Sequence, residues 1–515
     1  MRTKKSFINI INNLLFNITN IFLNFFSRSL FLKYFNVEYL GLVTLVTNII
    51  GVLSIAELGI STAISYSLYS HINQGNKKKI NELLKLIKIA YVLIGVFILV
   101  IGILIMPFLT DIFVSELKIK WIYITYILFL TTTVFSYFLT YKQILIIADQ
   151  NSYIITRTIG VIRILKTVLQ IIILIYTQNF MLWVIVESFS NLIAFILINL
   201  EINNKYKWLN LKINKTFKQI LRENKTVLKN IRHIVVHKLS GTVTTQTDSI
   251  IIGLVSSAKN IALYSNYLLI VNGLTTIISQ IFNGFTASIG NLISEGNNKK
   301  SYSIFLQLYY LEFYIGVIAT YTLYKSVNSF ITVWIGEEYT FPQILVLIIS
   351  MNFFIQITRR TVDYFKDGYG IFYDIFAPLT QVILNLFFSF YLGNIYGILG
   401  VYLGTLISSI PIIVFWRPYI LFKHGFKMHF LKYVISITRL ILMSTFSLTC
   451  SEFILSFISI EVTGIGSLLI YLFFVLVISS TILCLFLIPI SHFRIILGVV
   501  TKFVLINNLK KLKRS

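Results

Sequence analysis

Apolar residues in this chain fall into about fourteen runs, each roughly 20 residues or longer, the length a helix needs to cross a bilayer. Their approximate limits are 8–32, 40–69, 86–109, 120–148, 153–176, 180–200, 233–256, 262–289, 303–327, 342–366, 371–394, 396–421, 433–457 and 464–490. The pattern predicts an all-α polytopic membrane protein with about 14 transmembrane helices. The first run is the odd one. It carries Asn9, Asn13, Asn17, Asn20, Asn24 and Arg28 among Leu, Phe and Ile. At about 100° per residue these six share a sector of roughly 100°. A lipid-facing span would not collect amides and a guanidinium on one side, so the stripe faces other helices or a water-filled cavity.

Composition agrees with the pattern. Of 515 residues, 57% are hydrophobic and 12% charged, and mean hydropathy is +0.83. Soluble domains carry about twice that charge. The net charge of +25 would suit nucleic acid, but the Lys and Arg lie mostly in connections between apolar runs, so a nucleic-acid partner is rejected. Cys450 and Cys484 both lie in apolar runs, which speaks against a structural disulfide, and no metal-ligand spacing is present. MRTKKSF leads into a long span without a small-residue cleavage site, and reads as the start of a retained first helix.

The connections alternate in charge. The basic ones are the N-terminus, HINQGNKKKINELLK, the long segment 201–232, SEGNNKKS, the stretch with Lys423, Lys427 and Lys432, and the tail. They and two short turns hold about 29 Lys/Arg, against about four in the intervening loops (Lys118, Lys120, Lys259 and Lys325), which places both termini in the cytoplasm. The chain reads as a six-helix bundle at 1–200, a basic cytoplasmic linker at 201–232, a second six-helix bundle at 233–425, and two extra helices with a basic cytoplasmic tail at 426–515. A repeat supports the halves: INQGNKKK at 72–79 returns as ISEGNNKK at 293–300, each time after an even-numbered span. Two six-helix units in the same orientation would form parallel repeats.

The stretch YLGLVTLVTNIIGVLSIAELG at 39–59, continued by ISTAISYSLY, resembles the Wzx-type polysaccharide flippases of the multidrug/oligosaccharidyl-lipid/polysaccharide (MOP) exporter superfamily. Arg28 in FFSRSLF matches an arginine these proteins often carry. TDSIIIG at 247–253, YSNY at 264–267, WIGEEY at 334–339, GILGV at 397–401 and WRPY at 416–419 support the likeness. It runs to about residue 430, and the last two spans carry no such motif. The resemblance implies two six-helix bundles forming a V around a central cavity. It implies a plasma-membrane flippase moving an oligosaccharide on undecaprenyl pyrophosphate from the inner to the outer leaflet, for capsule, O-antigen or another exopolysaccharide. The lipid bilayer and other polysaccharide assembly proteins would be its partners.

Charged residues inside spans need an explanation, since a base at mid-bilayer costs about 2.5–3.5 kcal/mol on insertion scales. Arg163 and Lys166 lie about ten to thirteen residues into the fifth span and share a face with Gln170. Arg28, Arg163 and Lys166, with Arg359 and Arg360 in the tenth span, are the candidate cationic site. Asn13, Asn17, Asn20, Asn24 and Gln170 are its candidate polar lining. The competing readings are pairing with an acid, outward snorkelling for Arg28, and interfacial anchoring for Arg359 and Arg360. Glu57, Asp248 and Glu312 are candidate ion-coupling residues, taking up a proton or Na+, or else counter-ions to the bases. Glu187 reads as shallower. No other cofactor is expected.

Three other functions compete. A drug or cation exporter of the same superfamily should prefer acids in its deep spans, where this chain has at least as many bases. A membrane polysaccharide polymerase or glycosyltransferase would place catalytic residues in a large outer loop, and the outer loops here are short. No Gly-rich nucleotide loop, HExxH or His/Cys cluster points to an enzyme. A structural scaffold would not need buried bases.

Overall fold

The computed structural model describes residues 2–54, 74–113, 117–149, 151–211, 246–283, 285–371, 374–458 and 460–498, with Ile64, Leu68, His71, Ile72 and Gln219. Each of the fourteen apolar runs contains a helix among the described residues, although much of 55–70 and of 233–245 lies outside them, and the described residues contain no strand. In chain order these are α1 (Arg2–Tyr34), α2 (Val37–Leu53), α3 (Lys77–Ile112), α4 (Ile119–Thr140), α5 (Tyr153–Tyr176), α6 (Phe180–Lys205) and α7 (Gln246–Val255). There follow α8 (Ala258–Ser294), α9 (Asn298–Trp334), α10 (Gln343–Gly368), α11 (Phe376–Tyr396), α12 (Ile398–Phe426), α13 (Leu431–Leu455) and α14 (Ile465–Leu487). Eleven of them are long and apolar enough to cross a membrane; α1, α2 and α7 complete the set. In hydrocarbon every backbone N–H and C=O must bond within its own segment, so apolar length and helix go together.

The recurring Gly-Asn motif has a physical basis. Gly75 and Gly296 take up positive φ (66° and 73°), and their N–H groups bond Ile72 O and Ile293 O. The next residue caps the following helix in both places: Asn76 Oδ1 accepts from Lys79 N at 3.1 Å, and Asn297 Oδ1 from Lys300 N at 3.0 Å. Glycine supplies the left-handed turn and asparagine the N-cap. One turn thus opens both α3 and α9.

The chain forms two compact units, Met1–Ser265 and Asn266–Ser515, so the division falls inside α8 rather than at the basic segment 201–232. The reason is packing in the first unit. Asn48 on α2 donates to Ser249 on α7 at 2.7 Å. A Cβ on Gly41 would strike the Ala258 carbonyl, and one on Gly253 would press on the Ile112 carbonyl. These glycines let α7 and the first turn of α8 lie against α2 and α3. Within the same unit α1 rests on α5, where Gly160 admits the ring of Phe16, and α5 pairs with α6. Phe31, Phe35, Tyr39, Phe180 and Trp183 close one end of this group with ring contacts of 4.3–6.5 Å.

In the second unit α9 is the central rod. Phe305, Tyr309 and Phe313 on α9 pack with Phe365 on α10, Phe422 and Phe426 on α12, Tyr433 on α13 and Leu483 on α14. The two last helices, which carry no recognisable motif, are fastened to this rod. Glu452 on α13 accepts from Lys325 and from the Tyr321 hydroxyl, each at 2.7 Å. Tyr309 and Tyr433 share a hydroxyl contact of 3.2 Å, and Tyr314 donates to Ser480 O at 3.1 Å.

α11 and α12 approach each other closely. Gly404 sits on the backbone of Ser389, whose hydroxyl donates to Val401 O at 3.2 Å, while Asn385 donates to Thr405 at 3.0 Å. Small residues permit this approach in membranes. A side chain at position 404 would meet backbone, which cannot swing aside. Gly404→Leu is therefore expected to cost about 1–3 kcal/mol or more. A thermal unfolding midpoint in detergent equal to that of the wild type would contradict this.

Candidate functional site

Two intramembrane charge clusters emerge, one in each unit. The first is built on α1, α5 and α6. Helical spacing puts Arg163, Lys166 and Gln170 on one face of α5, as the sequence predicts. The antiparallel return through Thr177–Asn179 then brings Glu187 on α6 opposite them. Lys166 Nζ lies 2.8 Å from Glu187 Oε1 and 2.9 Å from Oε2. Gln170 Nε2 donates to the same carboxylate at 2.8 Å and to Trp183 O at 3.4 Å. Arg163 is exposed one turn away, and its charge also acts on Glu187. Arg28 on α1 donates from Nη1 to Ser265 Oγ at 2.8 Å, and it too interacts with Glu187 across space. Three bases therefore gather around one acid.

Of the predicted polar stripe, Asn20 turns its amide onto its own helix, donating to Phe16 O at 2.6 Å, and Asn24 is exposed. The side chains of Asn13 and Asn17 lie outside the described residues, as does Glu57. Asp248 is buried on α7 beside Tyr264.

The second cluster surrounds a break in α10. The helix stops at Thr358 and resumes at Arg360, with neither proline nor glycine at the joint. Glu312, fully buried on α9, holds the new start: its carboxylate accepts from Thr361 N at 3.0 and 3.3 Å. A carboxylate at a helix N-terminus satisfies an orphan donor and complements the helix dipole. Arg360 lies within electrostatic reach of Glu312 and of Tyr364, whose hydroxyl donates to Asn283 Oδ1. Asp363 is shared by two arginines, Arg359 Nε at 3.2 Å and Arg417 Nη1 on α12 at 2.7 Å. Lys366 and Asp374 form a buried pair at 2.7 Å. Arg417 stands between two π-helical stretches of α12, Ile410–Trp416 and Leu421–Phe426, an irregularity often found at functional positions.

The clusters differ in charge. In the first, Lys166 pairs with Glu187, and the charges of Arg28 and Arg163 also act on that carboxylate. Arg359, Arg360, Lys366 and Arg417 are matched by Glu312, Asp363, Asp367 and Asp374. Of the predicted cations, Arg28, Arg163 and Lys166 belong to the first unit and Arg359 and Arg360 to the second. Glu187, Arg417, Lys366 and Asp374 are site residues that spacing along single helices does not reveal.

No family model matches the chain, and no curated protein matches it. Solved structures do match its fold. The lipid II flippase MurJ in an inward closed conformation matches with a TM-score of 0.64 at 15% identity, covering 93% of this chain and 99% of its own. An inward-facing multidrug resistance MATE family transporter of the MOP superfamily matches with a TM-score of 0.54 at 15% identity, over 84% and 98%. A mutant of the Vibrio cholerae MATE transporter VcmN matches with a TM-score of 0.54 at 12% identity, over 82% and 98%. At these identities the likeness establishes the fold, which this chain shares with the MurJ and MATE structures.

Proposed function

We propose that this protein is a plasma-membrane transporter that flips a polyprenyl-pyrophosphate-linked oligosaccharide from the cytoplasmic to the outer leaflet by alternating access, with both termini in the cytoplasm. The carrying observation is the cluster of Arg28, Arg163 and Lys166 around Glu187. A diphosphate brings about two negative charges, and an unpaired charge is prohibitive in hydrocarbon. Lys166 is held by one carboxylate, and Arg163 beside it carries no ion pair among the described residues, so positive charge is on hand to meet an anion. Guanidinium groups grip phosphate oxygens bidentately, and a lysine adds a mobile point charge. The fold neighbours include a lipid II flippase, which agrees with a lipid-linked cargo. They also include multidrug transporters, so export of organic cations is the second reading. The exposed Arg163 beside the Lys166–Glu187 pair favours the anionic cargo.

A proton or Na+ drives the cycle in this reading, with Asp248 and Glu312 as the described acids available to it. The decisive experiment reconstitutes the full chain in proteoliposomes. A fluorescent undecaprenyl-pyrophosphate oligosaccharide should become accessible at the opposite leaflet, while a cationic dye should not accumulate. Dye transport without lipid flipping would overturn the proposal in favour of the exporter.

A further inference from the structure

We infer that Glu187 is an internal stand-in for the substrate's diphosphate, holding Lys166 and Gln170 until the lipid-linked substrate displaces it. The inference rests on the flippase reading and assigns a specificity role within it. Three N–H donors, two from Lys166 and one from Gln170, converge on one carboxylate at 2.8–2.9 Å. That is a receptor for an oxyanion, occupied by a group of the protein's own. The pair is not sealed: the side chains of Lys166 and Glu187 keep 17% and 22% of their exposure, so a ligand oxygen can reach the same donors. Arg163 stands on the same face of α5 and carries no ion pair among the described residues.

The charges balance on exchange. Lys166 and Arg163 together offer two positive charges to the two of a diphosphate. Glu187, once displaced, keeps Arg28, whose charge already acts on it. An uncompensated charge is most costly in a low-dielectric setting, so an exchange of partners is easier than a simple loss of one. The exchange also limits affinity. A dianion held by three bases with no competitor would release slowly, and a carboxylate waiting to reclaim Lys166 and Gln170 shortens its stay. Glu187 then trades tightness for turnover.

The test titrates the full-length protein in detergent with geranylgeranyl diphosphate. Glu187→Gln should bind it about tenfold more tightly than wild type, a gain of about 1.4 kcal/mol. In flipping assays the same variant should show lower KM and lower kcat. Glu187→Asp, one methylene shorter and still charged, should tighten binding by less and guards against misfolding of the amide variant. Glu201→Gln removes an acid from the same helix, paired with Arg157 at 3.0 Å on the exposed surface, and should leave affinity unchanged. The double variant Lys166→Met/Glu187→Gln should lose the gain. Inorganic pyrophosphate should bind at least about tenfold more weakly than the lipid.

Equal or weaker binding by Glu187→Gln, or equal tightening by Glu201→Gln, overturns the stand-in role alone. Inorganic pyrophosphate binding as tightly as the lipid overturns the lipid-linked ligand. Wild-type protein that does not bind the lipid diphosphate at all overturns the proposed function, and this inference with it.

Discussion

Arg163→Ala is expected to abolish export of the lipid-linked glycan while the protein folds and inserts as the wild type does. Arg163 is exposed on α5 and holds no ion pair among the described residues, so its removal takes away little that supports the fold. What it removes is a fork of charge-assisted donors. Such a hydrogen bond contributes about 1.5–3 kcal/mol, so losing two of them slows transport by roughly a hundredfold or more. Arg163→Lys keeps the charge and loses the fork, and should recover only part of the rate. The measurement pairs a leaflet-accessibility assay in proteoliposomes with thermal unfolding of the same preparation. Normal export by the alanine variant would remove Arg163 from the site. Lost export together with a collapsed unfolding midpoint would make it a structural residue.

Asp363→Asn should have the largest effect on stability. One carboxylate serves both Arg359 and Arg417, so its loss leaves two guanidinium groups facing a neutral amide inside the second unit. Breaking a fully buried ion pair on one side costs about 3–5 kcal/mol, an upper bound for this half-buried carboxylate. The variant is expected to accumulate poorly and to unfold well below the wild type. Removing one of the stranded charges as well, in Asp363→Asn/Arg417→Gln, should restore part of the loss. The experiment also decides what Arg359 does. If Asp363→Asn keeps wild-type stability and loses flipping, the arginines of α10 act on substrate and not on the fold.

The positions of the spans were legible because bilayer thickness fixes their length, and apolar length survives any detail of packing. The Gly-Asn turns were legible because glycine at positive φ and asparagine at an N-cap are requirements of single residues. The face shared by Arg163, Lys166 and Gln170 followed from the helical repeat. What the repeat cannot give is a partner on another helix. Glu187 read as a shallow acid until the α5–α6 return placed it against Lys166. The break at Arg359 has no proline or glycine to announce it, and it is held from outside by Glu312. In the structure each arginine of α10 is answered by acids of its own unit. α7 likewise joined the first unit through glycine contacts with α2 and α3, which the charge of the preceding connection could not foretell.

The fastening of α13 to α9 bears on how the second unit can work. The two attachment points on α9, Tyr309 and Lys325, are sixteen residues apart, about 24 Å along a helix. A rod pinned to its neighbour at one place can pivot; pinned at two places that far apart, it cannot. α13, and α14 paired with it, therefore add no joint to the machine. Whatever tilt α9 undergoes during a cycle, they must follow as passengers, sweeping lipid aside as they go.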